Sequence, residues 1–341
     1  MDLERKSLRI GAAVIGCAVL LRLLSGSFIG NTVQLLGQSN LASWILFFET
    51  GRFVRPVPDP EETLPPETQP ETVVPTDPEL PETVLPVFSP ADAELVALHN
   101  YSGYSVDIAA MLQQPLQWEL TGDEPTVLIL HTHGTESYKD QYSETGSYRT
   151  QDIDYNVVSV GTYLAQLLEQ AGISVIHDQR LHDDPSYNGA YTQSRESVQA
   201  YLEQYPSIRL VLDLHRDSIE DSSGQQVAYT LSTGQGAAAK LMLVMGTDAG
   251  GLSYPNWEEN LALAVKLQAQ LEKNTPGLCR PISFRSSRFN QDLSPGAVLV
   301  EMGSAGNTRQ EALRSTELLA KAIVDLAHGS ATPTATVNST S

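Results

Sequence analysis

Apolar and polar positions alternate along the chain in blocks that switch between two periods. TVLILH, 126–131, is a short β-branched run of strand character, and ISVIHD, 173–178, is a second. Between them, NVVSVGTYLAQLLEQAG at 156–172 spaces its apolar residues at three and four, and ends on a glycine suited to a helix C-terminus. SRESVQAYLEQYP predicts a helix stopped by Pro206, followed by the apolar strand SIRLVLDLH. QVAYTLS and KLMLVMG read as further strands, NWEENLALAVKLQAQLEKN as a long amphipathic helix, and AVLVEMG as another strand. The last helix is expected from about Asn307, with Asn307 and Gln310 as its capping box. Apolar strands separated by helices predict an α/β domain with a mostly parallel central sheet flanked by helices on both faces.

The flanks have a different pattern. Arg5, Lys6 and Arg9 precede an apolar stretch interrupted by Arg22, which reads as a cytoplasmic stub and transmembrane anchor over 1–27. The positive-inside rule then puts the rest of the chain outside the cytoplasm. The segment 28–54 contains LASWILFFETG, too short to span, and is expected at or near the membrane surface. From 55 to 90, proline alternates with acidic residues and no lysine or arginine occurs until Lys139. Such a segment reads as an extended spacer, reaching up to ~100 Å at about 3.1 Å per residue. The folded domain is expected over 91–328, and the Thr/Ser-rich 329–341 as a disordered tail.

Composition removes several classes. A net charge of -20 over 341 residues argues against nucleic acid, whose phosphates need a basic surface. Two cysteines, Cys17 in the apolar stretch and Cys279, leave no disulfide framework and no CxxC zinc site. There is no GxSxG nucleophile elbow, and GTDAGGLSYP at 246–255 lacks both the Walker lysine and GxGxxG spacing.

Three of the expected strands end in chemically active residues: His131-Thr-His133-Gly-Thr-Glu136, Asp213-Leu-His215-Arg216-Asp217, and Val300-Glu301. In open parallel sheets, ligands bind beyond the carboxyl ends of strands, so these groups can converge. His133, Glu136 and His215 form the N/O donor set of a catalytic zinc site, with His131 supporting them or touching substrate and Asp152 as the alternative carboxylate ligand. Zinc lowers the pKa of its water to about 7, and Glu301, at the end of an apolar strand, suits the general base. Each residue also has a plain structural role open to it. Glu136 can serve as a cap, Glu301 as a partner of Arg285 or Arg288, and Asp213 and Asp217 as helix caps or partners of Arg216.

THGTES, YNVVSVG, IHD with HDDPSYNGAY, DLHRD, PNWEENLALA and FNQDLSPGAVLVEMG occur in that order. Together, over about residues 98 to 326, they resemble the stage II sporulation protein P family of membrane-anchored peptidoglycan hydrolases. The resemblance implies a fold similar to that of zinc-dependent N-acetylmuramoyl-L-alanine amidases. It also implies amidase activity, with an associated endopeptidase activity, removing stem peptides at the sporulation septum during engulfment. It carries the THxxES motif onto His133 and Glu136, DLHRD onto His215 and LVEMG onto Glu301, and it keeps Asp152 in play. It implies as partners a lytic transglycosylase and a polytopic membrane scaffold. Arg216, Arg285 and Arg288 are candidates to pair with stem-peptide carboxylates, and Asn290 and Gln291 to bond its backbone. The competing expectations are a non-catalytic wall- or partner-binding module on the same fold, and a carboxypeptidase acting on free C-termini.

Overall fold

The computed structural model describes residues 88–116, 119–141 and 148–330. The expected anchor, the juxtamembrane segment, nearly all of the proline-rich spacer and the tail lie outside the described residues. Among the described residues no helix is long and apolar enough to cross a membrane.

In chain order the elements are β1 (Leu98–Asn100), α1 (Ile108–Gln113), β2 (Val127–Leu130), α2 (Val157–Gln170), β3 (Val175–His177), α3 (Ala190–Gln204) and β4 (Leu210–Asp217). There follow β5 (Thr230–Thr233), β6 (Gly236–Ala239), β7 (Leu241–Met245), α4 (Trp257–Asn274), β8 (Ile282–Phe284), β9 (Ala297–Ser304) and α5 (Arg309–Ser330). The long periodic segments form where their patterns predict. Asn156 caps α2, accepting from Val158 N at 2.9 Å, and Gly172 ends it in the left-handed region at φ +82°. Helix α5 starts differently from expectation. The reciprocal capping bonds run between Thr308 and Glu311, because the side chain of Asn307 is turned back onto Ser304 N. QVAYTLS is only partly a strand: β5 pairs with β6 in a separate hairpin, while Val227 N bonds Ile219 O. β1, α1 and β8 are too short to show periodicity.

The main sheet has the order β1-β8-β7-β9-β4-β2-β3. Every pair is parallel except β7 with β9, so two parallel halves of opposite direction meet at that seam. The half β9-β4-β2-β3 therefore sends all its carboxyl ends to one edge.

Side-chain alternation then separates two faces. On one face Val127, Ile129, Leu210, Leu212, Leu214, Val298, Val300 and Met302 join the larger core, together with residues of α2, α4 and α5. On the other face Leu128, Leu130, Val211 and Ala297 pack with Val198 of α3 in a smaller cluster. Only this second face changes character along its strands. Val211 gives way to Asp213 and His215, while Ala297 gives way to Leu299 and Glu301, with His215 and Glu301 directly paired.

Candidate metal centre

His133, Glu136 and His215 each offer a ligand atom, and these atoms all lie within 4.8 Å of one another. His215 arrives on β4. The other two come from the turn after β2, where Glu136 N bonds His133 O at 3.1 Å. Two isolated bridges, Glu136 to Arg149 and Ser137 to Asn156, tie this turn to the start of α2. Asp183 holds it from the other side, accepting from Thr135 N, Thr135 Oγ1 and Arg149 Nη1. The turn packs closely on the following segment: a Cβ on Gly134 would sit 2.8 Å from Leu181 Cδ2 and 3.3 Å from Leu181 Cα.

The electrostatics favour a cation at this point. Burial alone would raise the Glu136 carboxyl, but Arg216 and His215 outweigh it and bring its pKa down to about 2. Asp213 is likewise held at about 2, against its burial, by His215 and by bonds from Thr132 N and Oγ1 at 2.8 and 2.6 Å. His215 lies between the two, with Nδ1 3.6 Å from Glu136 Oε2 and Nε2 2.9 Å from Asp213 Oδ1. Although burial opposes it, these carboxylates raise the pKa of His215 well above the ordinary histidine value. His133 is pushed down to about 4 by burial and by His215, so it is a neutral imidazole with a lone pair to give.

Glu301 is the opposite case. Burial, helped by Glu136 and Asp217 and opposed by His215, raises its pKa to about 8. Among the described residues, the buried side-chain atoms without a hydrogen-bond partner are Ser137 Oγ, His215 Nε2 and Glu301 Oε2. The 2.9 Å approach of His215 Nε2 to Asp213 is thus close but off the axis a hydrogen bond needs. Unpartnered buried polar atoms are costly, and all three belong to this one site or its flank. An N/O donor set of two imidazoles and a carboxylate fits zinc, with Glu301 free to handle a proton.

Several expected site residues have other positions. His131 is fully buried on the core face, with Nδ1 3.0 Å from Leu214 O and Nε2 2.9 Å from His177 Nε2, so it cannot touch a substrate. One residue past β2, it continues the alternation of Val127 and Ile129 and is turned under α2, away from the cleft. Arg216 is also buried. It donates to Ser137 O and Tyr148 O, and its Nη1 lies 3.5 Å from Glu136 Oε1, so it supports Glu136 and does not face a ligand. Arg285 follows β8, which runs opposite to β9, and therefore sits at the other edge of the sheet with its guanidinium over Tyr101. Asn290 is engaged with Tyr191 O and Ser194 Oγ. Gln291 is buried, bonding Gly246 N and Val244 O, and Arg288 pairs with Asp292. The Asp152 carboxylate accepts from Asp154 N in an exposed turn, outside the ligand group.

Sequence reasoning passed over Asp213 as the partner of His215, although two residues apart on one strand places them on the same face. It also missed the wall of the site. Tyr187 stacks on His133 with ring centroids 4.3 Å apart, and the Arg149 guanidinium covers the far face of Tyr187 at 4.1 Å. The segment HDDPSYNGAY carried Asp183, Tyr187 and Tyr191, but nothing in its spacing says that it folds over His133.

The family model of Stage II sporulation protein P matches residues 67–324. Stage II sporulation protein P of Bacillus subtilis (strain 168) is 30% identical over 210 residues, 58% of this chain and 50% of that protein. The chain thus spans about half the length of that curated relative. Among solved structures, N-acetylmuramoyl-L-alanine amidase AmiC2 of Nostoc punctiforme aligns with 61% of this chain and 99% of its own, at 14% identity and a TM-score of 0.37. The CwlD amidase from Clostridioides difficile, solved in complex with the GerS lipoprotein, aligns with 58% and 94%, at 15% identity and a TM-score of 0.38. With its family model covering most of the chain, and with THGTES, DLHRD and LVEMG lying on three adjacent parallel strands or the turns after them, this chain belongs to the Stage II sporulation protein P family.

Proposed function

We propose that the chain is an exported, zinc-dependent peptidoglycan hydrolase that cuts the N-acetylmuramoyl-L-alanine amide and so strips stem peptides from glycan strands during sporulation. The observation that carries this reading is the buried His133, Glu136 and His215 set beside a carboxylate, Glu301, whose Oε2 has no partner. Zinc held by the three ligands would polarise the scissile carbonyl and acidify the attacking water. The chain's own residues do the rest. Arg216 keeps Glu136 ionised, and Asp213, fixed by Thr132, orients His215. Glu301 takes the proton of the water and delivers it to the leaving amine nitrogen. Family membership supports the same reading, and with it a hydrolase tethered outside the cytoplasm by the N-terminal segment. Such an enzyme works alongside a lytic transglycosylase that cuts the stripped glycan and a membrane scaffold that holds both.

The test uses the purified 341-residue chain, peptidoglycan sacculi and mass spectrometry of the soluble products. Stem peptides should be released, release should stop with a chelator and return with zinc, and His215→Ala should lower it at least ~100-fold. Endopeptidase activity would show as cleaved cross-bridges in the same spectra. No release, or release indifferent to both chelator and His215→Ala, would leave a binding module as the better reading.

A further inference from the structure

The three candidate ligands differ in what holds them in place. Glu136 is fixed by Arg216, whose backbone N donates to Oε2 at 3.1 Å and whose Nη1 reaches Oε1 at 3.5 Å. His215 has Asp213 Oδ1 at 2.9 Å from its Nε2, on the same strand. The His133 ring has no such polar support. Among the described residues it makes no hydrogen bond, and its approach to Glu136, Nδ1 to Oε1 at 3.9 Å, is too long for one.

Aromatic rings surround His133 instead. Tyr187 lies face to face with it, centroids 4.3 Å apart and planes 20° from parallel, while Tyr191 and His215 meet it edge-on at 5.5 and 5.2 Å. The face contact resists any turn of the imidazole out of its plane. Tyr187 is itself held from behind. The Arg149 guanidinium caps its other face at 4.1 Å, Arg149 Nη1 donates to Asp183 Oδ2 at 3.1 Å, and Asp183 accepts from Thr135 N. Thr135 stands between His133 and Glu136 in one turn, so these contacts close a circuit back to the ligands. Tyr187 is 49% exposed and belongs to neither hydrophobic cluster, so the core gains little from its side chain.

We propose that Tyr187 is a positioning residue for the metal: with Arg149 behind it, its ring sets the plane of the His133 imidazole and so the affinity of the site for zinc. An imidazole ligates through a lone pair in the plane of its ring, so a ring free to turn is aimed away from the metal much of the time. Ligating histidines are usually oriented by a hydrogen bond at the second nitrogen, and losing that partner costs about 10- to 100-fold in metal affinity. Here a stacked phenol takes that task. The inference rests on the zinc reading above and adds to it how one ligand is held.

The test compares the 341-residue chain with Tyr187→Leu, which removes the ring face, and Tyr187→Phe, which keeps it. Zinc dissociation constants come from competition with a chromogenic chelator, and the cobalt(II)-loaded proteins report ligand geometry through their visible absorption bands. Tyr187→Leu should weaken zinc binding about tenfold and alter the cobalt bands, with the Tm of the metal-free protein unchanged. Tyr187→Phe should match wild type in both. A Tyr187→Leu variant with wild-type zinc affinity or wild-type cobalt bands overturns the inference. So does a Tyr187→Phe variant as weak as Tyr187→Leu, which would give the role to the hydroxyl, or a loss of affinity that follows a fall in the metal-free Tm. Wild-type protein that binds no zinc removes the metal-centre reading itself, and this inference goes with it.

Discussion

Glu301 shows how one residue acquires a role from its neighbours. On β9 it is paired with His215, half-buried, with Oε2 sealed from solvent and unpartnered. Neither arginine considered from the sequence reaches it, because Arg288 pairs with Asp292 and Arg285 lies at the opposite edge of the sheet. Glu301→Gln keeps the shape and removes the base. It should lower peptide release by about 100- to 10,000-fold while leaving zinc stoichiometry and Tm close to wild type, measured by metal analysis and calorimetry. A variant that cleaves normally would transfer the proton-handling role to another group. His131 teaches the reverse lesson. It shares a motif with His133 and Glu136, but its place directly after β2 points it into the core, where burial and the neighbouring His177 lower its pKa to about 3. Motif proximity made the two histidines look alike, whereas alternation along the strand separates them.

At the scale of elements, α2 makes the closest approach to the sheet. A Cβ on Gly161 would stand 2.5 Å from His131 Nε2 and 2.7 Å from His177 Nε2. Helix propensity alone favours Gly161→Ala by about 1 kcal/mol. The contact argues the other way, and overpacking a tight site costs ~1–3 kcal/mol. Urea unfolding should therefore show net destabilisation; a neutral or stabilising result would mean that the two imidazoles move aside freely. The periodic elements α2, α3, α4, β4 and β9 were legible in the sequence to within a few residues, since each carries several apolar positions at one period. The three-residue strands β1 and β8 carry too few to register. QVAYTLS has the alternation of a strand but is drawn partly into a loop by Val227 and Gln226, which bond Ile219 and Glu220. The start of α5 was placed one residue early because Asn307, a good cap by type, is bonded to Ser304 instead.

Across the whole domain, the site and the least comfortable buried charge lie at opposite ends of the central strands. Lys266 of α4 is 3% exposed and donates to Met111 O. It lines a cavity bounded by Arg209 and Gly296, at the amino ends of β4 and β9. Burial lowers its pKa to about 8. Between about pH 8 and ~10.4 the unfolded chain holds a proton that the folded chain has released, so stability gained from this group rises with pH across that window. Below pH 8 the full cost of the buried ammonium is present. Lys266→Met should stabilise the protein by roughly 1–2 kcal/mol at pH 7, since Met111 O still accepts from Gln114 N. The advantage should fade by pH 10, as read from paired denaturation curves. A variant less stable than wild type at pH 7 would mean that the Lys266 bond outweighs its desolvation.

The sequence by itself determined the α/β class, the order of the long elements and the three segments that deliver chemistry, because hydrophobic period and strand-end polarity are local properties. The spacing that puts Asp213 beside His215, two apart on one strand, is local as well, although reading Asp213 as a cap or a partner of Arg216 passed over it. The tertiary structure decided which of these groups converge. The antiparallel seam between β7 and β9 sends Arg285 to the far edge, and the packing of α2 hides His131. The loop 179–189 and the start of α3 bring Tyr187 and Tyr191 against His133. None of this is local: convergence depends on strand order and direction, set by how distant segments pack, and no single stretch of sequence records it.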